Sequence, residues 1–140
     1  MRRPKYNYER IQRSTRLGPI IELEVFAPTD KELVSRSKAL IDTGATITCV
    51  PESVIAELGR ENLVATKKNV EGAFGGRQTQ TEREAYVLNI KLDKCYFHDI
   101  EVVVLPPDKD YALIGRDILN DFSITFDGPN SSWQVDAKCK

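Results

Sequence analysis

The segment Asp42-Thr43-Gly44 puts a carboxylate, a hydroxyl and a glycine in a row, directly behind the apolar run Ala39-Leu40-Ile41. A carboxylate can take up or release a proton for a reacting group, and a glycine beside it lets a ligand approach the backbone closely. Asp42 is therefore the candidate catalytic residue, with Thr43, Gly44 and Ala45 as the loop that supports it. Other chemistries find less support. Cys49, Cys95 and Cys139 show no CxxC spacing and His98 is the one histidine, so no metal centre and no cofactor is expected. The thiols are expected to be reduced, because so few cysteines in a chain without an export signal do not make a disulfide framework.

The elements that must position this loop are mostly strands. Ile21, Leu23 and Val25 alternate with Glu22 and Glu24, the period of a half-buried strand, and Pro28-Thr29-Asp30 marks a turn. A second strand through Lys38 to Ile41 delivers Asp42. Pro51 is expected in the first turn of a short helix whose apolar face is Val54, Ile55 and Leu58, with Gly59 stopping it. Gly72-Ala73-Phe74-Gly75-Gly76 reads as the tip of a long hairpin. Tyr86, Leu88, Ile90 and Leu92 alternate with polar or smaller residues, Asp93-Lys94 turns, and Ile100 to Leu105 is continuous enough for a strand buried on both faces. A second short helix over Arg116 to Asp121 and a closing strand through Ile124, Thr125 and Phe126 complete an all-β, barrel-like domain. Ala39-Leu40-Ile41-Asp42-Thr43-Gly44 is echoed by Ala112-Leu113-Ile114-Gly115-Arg116-Asp117, so two similarly built halves are expected, only the first bearing Asp-Thr-Gly.

In this order, a strand-delivered Asp42-Thr43-Gly44-Ala45, a glycine-rich hairpin and Ala112 to Leu119 resemble the retropepsin family of aspartic proteases, over about Gly18 to Phe126. The resemblance implies a closed barrel with a flap hairpin and one or two short helices. It implies that Asp42 is catalytic, that Thr43 locks two copies of the loop together and that Gly44 permits close approach of substrate. Gly72 to Gly76 would be the flap and Gly115, Arg116 and Asp117 the start of a structural helix. Hydrolysing an amide without a metal needs one group to take a proton from water and another to polarise the amide. One loop per chain leaves the second carboxylate to Asp42 of another copy, so a symmetric homodimer acting on a peptide or protein is expected. Two departures stand out. Retroviral members carry an acid four residues after the catalytic aspartate to pair with the helix arginine, where this sequence has Thr46. Their chains also end just past the position of Phe126, whereas 14 residues follow here, including Trp133.

A chain of 140 residues, 41% hydrophobic and 29% charged, fits one ordinary globular domain. Residues 1–17 carry six Arg or Lys against Glu9, or +5, so within a net charge of −1 the remainder carries −6. The expected division is a flexible basic arm over 1–17, the protease-like domain over 18–127 and an extension over 128–140. The arm has no recognisable nucleic-acid motif, so a nucleic-acid partner is not expected from it. No run approaches the roughly 18 apolar residues that span a bilayer, and no apolar signal segment opens the chain, so a cytoplasmic protein without membrane contact is expected. The alternative reading keeps the fold without catalysis, as a binding or assembly module for a protein or nucleic acid.

Overall fold

The computed structural model describes residues 5–10, 16–71 and 80–137. Its strands are β1 (Lys5–Asn7), β2 (Glu9–Arg10), β3 (Leu17–Gly18), β4 (Ile20–Ala27), β5 (Asp30–Ile41), β6 (Cys49–Val50), β7 (Val64–Glu71), β8 (Gln80–Leu92), β9 (Cys95–Val104), β10 (Ala112–Ile114), β11 (Phe122–Asp127) and β12 (Ser132–Ala137). Helix α1 (Glu52–Leu58) follows β6, and α2 (Arg116–Leu119) follows β10.

Seven strands form one sheet in the order β4-β5-β10-β6-β9-β8-β7, and β4 also pairs with β8, which closes the sheet on itself. The closure works because β8 is long enough to be shared. Gln80 to Val87 pairs with β7, and Asn89 to Leu92 then pairs along β4. Alternation in the sequence decides which side faces in: Leu23, Val25, Leu88, Ile90 and Leu92 are buried, while Glu22 is exposed. On β9 the last residues, Val102, Val103 and Val104, are all buried, as the unbroken apolar run requires. A closed all-β barrel with two short helices is thus what the sequence led one to expect.

Helix α1 packs Val54, Ile55 and Leu58 into the core and ends at Gly59, whose φ of 83° is left-handed and whose N–H donates to Ile55 O at 3.0 Å. Pro51 is the N-cap rather than the first helical residue, one position earlier than its missing N–H suggested. Strands β7 and β8 pair antiparallel from Val64↔Val87 to Glu71↔Gln80, forming a long hairpin. Its expected tip, Gly72, Ala73, Phe74, Gly75 and Gly76, lies outside the described residues.

Described segments near both chain ends meet in a separate small sheet. β11 and β12 form a hairpin, and β1 adds to the other edge of β12, with Tyr6 opposite Trp133. Burial of large apolar surface is the cause. Trp133 is 1% exposed, stacks on Tyr6 with ring centroids 4.6 Å apart, and packs beside Ile21, Ile41, Phe122 and Val135. Tyr6 also donates its hydroxyl to Asp93 Oδ1 at 2.6 Å, which ties β1 to the β8–β9 turn. Burial first, and then this carboxylate, push the Tyr6 phenol above its ordinary value. The expectation of three reduced thiols is corrected as well. Cys49 is free and buried, but Cys95, also buried, is disulfide-bonded, which cysteine spacing does not reveal. Cys139 lies outside the described residues. Among those residues, no helix is long and apolar enough to cross a membrane.

Candidate active site

The echo in the sequence becomes a physical pair. β10 runs parallel to β5 with Ala112 beside Ala39, Leu113 beside Leu40 and Ile114 beside Ile41. Ala39, Ile41, Ala112 and Ile114 enter the main core, so alternation turns Leu40, Leu113 and Asp42 to the opposite face. There Leu113 and Ile47, both half-buried, pack on a second apolar cluster of Cys49, Ala85, Val103 and Leu105.

The loop at the end of β5 is held by its own backbone. Asp42 N–H donates to Ile114 O at 3.0 Å, Ala45 N–H to Asp42 O at 3.1 Å, and Arg116 N–H to Ala45 O at 2.8 Å. Asp42 Oδ1 accepts the Gly44 N–H at 2.9 Å, which fixes the carboxylate over its own turn. Asp42 is half-buried, whereas Thr43 and Gly44 are exposed. A Cβ on Gly44 would lie 3.2 Å from Asp42 Oδ1, so a side chain there would press on the carboxylate. Arg116 N–H reaching Ala45 O brings the start of α2 against this loop.

A second layer of contacts, which the sequence reading missed, sets the loop. Thr48 is fully buried, donates its hydroxyl to Asp117 Oδ1 at 2.8 Å and accepts the Gly115 N–H at 3.1 Å. Asp117 also accepts Thr48 N–H at 3.0 Å and Ile118 N–H at 2.9 Å. With three donors on it, Asp117 is committed to structure. The clue in the sequence was one polar residue inside Ile47-Thr48-Cys49-Val50, which needs a partner if that segment is buried. Arg116 is exposed and makes no side-chain hydrogen bond or ion pair among the described residues. Thr46 is exposed and does not take the place of an acid.

Gly115 is required for space. Its φ of −92° suits any residue, but a Cβ would sit 2.5 Å from Ile47 C and 2.7 Å from Ile47 O, both backbone atoms. Gly115→Ala is expected to destabilise the protein by about 2–3 kcal/mol, because backbone cannot yield as a flexible side chain does. Thermal unfolding of the variant beside the wild type measures it; equal midpoints would show that the two segments are not packed this closely.

Cys49 does not compete as a nucleophile. Burial first, with the negative charges of Asp117 and Asp42 adding, pushes its thiol up to about 12, so it stays protonated and serves packing. Among the described residues no three His, Cys, Asp or Glu side chains gather to hold a metal ion, and His98 is exposed.

A closed barrel that presents one aspartate on a tight Asp-Thr-Gly loop, braced by a parallel strand and a short helix, defines the retropepsin class of aspartic proteases. The chain belongs to the family described as "gag-polyprotein putative aspartyl protease", which matches residues 35–121. Its fold is similar to that of a retropepsin-like aspartic protease from Rickettsia conorii, with 16% identity, coverage of 94% of this chain and 90% of that one, and a TM-score of 0.53. It is also similar to the EIAV protease complexed with the inhibitor HBY-793, with 19% identity, coverage of 79% and 93%, and a TM-score of 0.50. No curated protein matches the chain.

Proposed function

We propose that this protein is an aspartic endopeptidase, active as a homodimer, in which water attacks a peptide bond between two Asp42 carboxylates. One observation carries the reading. Each chain has a single Asp42-Thr43-Gly44 loop, and at the matching end of β10 stands Gly115-Arg116-Asp117, whose acid is already held by Thr48 and Ile118. The second carboxylate must therefore come from a second copy.

Two carboxylates about 3 Å apart cannot both ionise, so the pair keeps one proton. The ionised one takes a proton from water as its oxygen bonds to the amide carbon, and the protonated one hydrogen-bonds the carbonyl oxygen. Proton transfer to the amide nitrogen then releases the amine as the C–N bond breaks. Thr43, exposed beside Asp42, reaches across the two-fold axis, and Gly44 leaves its backbone open to the peptide. Half-buried Leu40, Leu113 and Ile47 on the same face meet apolar side chains of the substrate. The long hairpin of β7 and β8 serves as the flap over the bound chain.

The test is cleavage of a peptide library by the purified dimer across acidic to neutral pH, read by mass spectrometry. Cleavage rates should follow a bell-shaped pH profile, since the pair loses two protons in separate steps and only the singly protonated form works. A dimer with intact Asp42 that cuts no peptide at any pH in that range would refute catalysis.

A further inference from the structure

We infer that a cavity lined by Arg10, Arg36 and Lys38 recognises an acidic side chain of the substrate, well away from the bond that is cut. The inference rests on the protease reading above and gives that enzyme a class of substrate: peptides with a glutamate or aspartate on the flank of the cleavage site.

The cavity has a volume of about 310 Å³ and opens where β2, β5 and the residues leading into β10 come together. Ile20, 3% exposed, gives it an apolar wall, and Ser53 and half-buried Tyr111 add hydroxyls. Its polar groups are mostly donors. The Arg10 guanidinium and the Tyr111 hydroxyl have no hydrogen-bond or ion-pair partner among the described residues. Lys38 gives one N–H to Glu9 Oε1 at 2.6 Å and keeps two. Arg36 Nε stands 3.6 Å from Glu24 and 3.8 Å from Glu22, too far for hydrogen bonds, which leaves the fork of its terminal amino groups open. Asp110 is the one acid of the described lining and already has an interaction of its own. A cavity rich in unengaged donors suits a group that only accepts, and an ionised carboxylate is such a group.

Position ties that carboxylate to the substrate. Ala39 and Ile41 turn to the core, so alternation puts Arg36, Lys38, Leu40 and Asp42 together on the other side of β5. Tyr111 stands two residues before Leu113, which lies beside Leu40. The surface therefore runs from cations through leucines to the catalytic loop. At a strand rise of about 3.3 Å per residue, Lys38 and Arg36 lie roughly 13 and 20 Å from Asp42. An extended peptide covers those distances in about four to six residues, so a chain cut at Asp42 reaches the cavity. The basic N-terminal segment gains a role as well: Glu9 fastens β2 to Lys38, and Arg10 beside it joins the lining.

The test uses the purified dimer and sets of peptides cut at one bond, with Glu or Gln placed at each flanking position out to about seven residues on either side. At one or two positions the Glu peptide should be cut with a kcat/KM about tenfold higher, mainly through a lower KM, and added salt should shrink the advantage. In the double variant Arg36→Glu with Lys38→Glu the order should invert, with Lys now preferred to Gln at the same position. Arg10→Gln should reduce the advantage without inverting it. Both rates of each ratio come from one preparation, so any loss of folded protein cancels. Glu and Gln peptides cut equally at every position, or an acid preference that the double variant keeps, would overturn the role of this cavity and leave the protease reading standing. A dimer that cuts no peptide overturns both.

Discussion

Asp42→Asn is expected to lower peptide cleavage by about 10⁴-fold, the upper range for loss of a positioned acid–base group, and to leave the fold intact. The fold should survive because Asp42 anchors the loop through groups that asparagine keeps. Its N–H donates to Ile114 O, its carbonyl accepts from Ala45, and an amide oxygen can still accept the Gly44 N–H. What is lost is a group that can be ionised in one copy and protonated in the other. Mixing makes the experiment sharper. When wild-type and variant chains are combined in equal amounts and allowed to exchange, about one quarter of the dimers retain two carboxylates. Activity should then fall to about one quarter, whereas an enzyme whose every chain works alone would keep about half. Activity linear in the wild-type fraction would rule out the shared site.

The second large effect concerns stability. Trp133→Ala should cost about 3–5 kcal/mol, the range for removing a large aromatic side chain from a core, and lower the unfolding midpoint by about 10 °C or more. Trp133 is nearly fully buried between the terminal sheet and the barrel, against Ile21, Ile41, Leu119, Phe122 and Val135, with Tyr6 stacked on it. β1, β4, β5, α2 and β11 lose their common contact with it. Among the described residues its indole N–H has no hydrogen-bond partner, so Trp133→Phe forfeits packing but no hydrogen bond and should be much milder. Because Ile41 immediately precedes Asp42, the alanine variant should also lose activity at temperatures where it remains folded. Unfolding followed by dichroism decides the matter; a midpoint within a few degrees of the wild type would mean that the terminal sheet is not part of the cooperative structure.

Much of the barrel was legible because its signals are local. Alternation at Tyr86, Leu88, Ile90 and Leu92 is a property of neighbouring residues, and those four positions are buried. The helix over Val54, Ile55 and Leu58 and its stop at Gly59 were legible for the same reason. Ala39-Leu40-Ile41 and Ala112-Leu113-Ile114, alike in sequence, stand side by side in register. β1 and β12 were not legible. Lys5-Tyr6-Asn7 is short and polar, and it becomes a strand only because Trp133 and the edge of β12 are there to receive it. The disulfide at Cys95 escaped on similar grounds, since spacing alone does not say which thiols will meet.

By itself the sequence determined that a carboxylate stands at the end of an apolar strand in an all-β domain, since side-chain period and glycine placement act over a few residues. Only the tertiary structure decided that Asp117, and not Arg116, clamps the loop through Thr48, across a separation of 69 residues. It alone decided that β1, through no local signal, pairs with distant β12 within one three-stranded sheet. The physical reason is the same in each case: burial and hydrogen-bond satisfaction are settled between surfaces that meet in space, and no local pattern states which surfaces those will be.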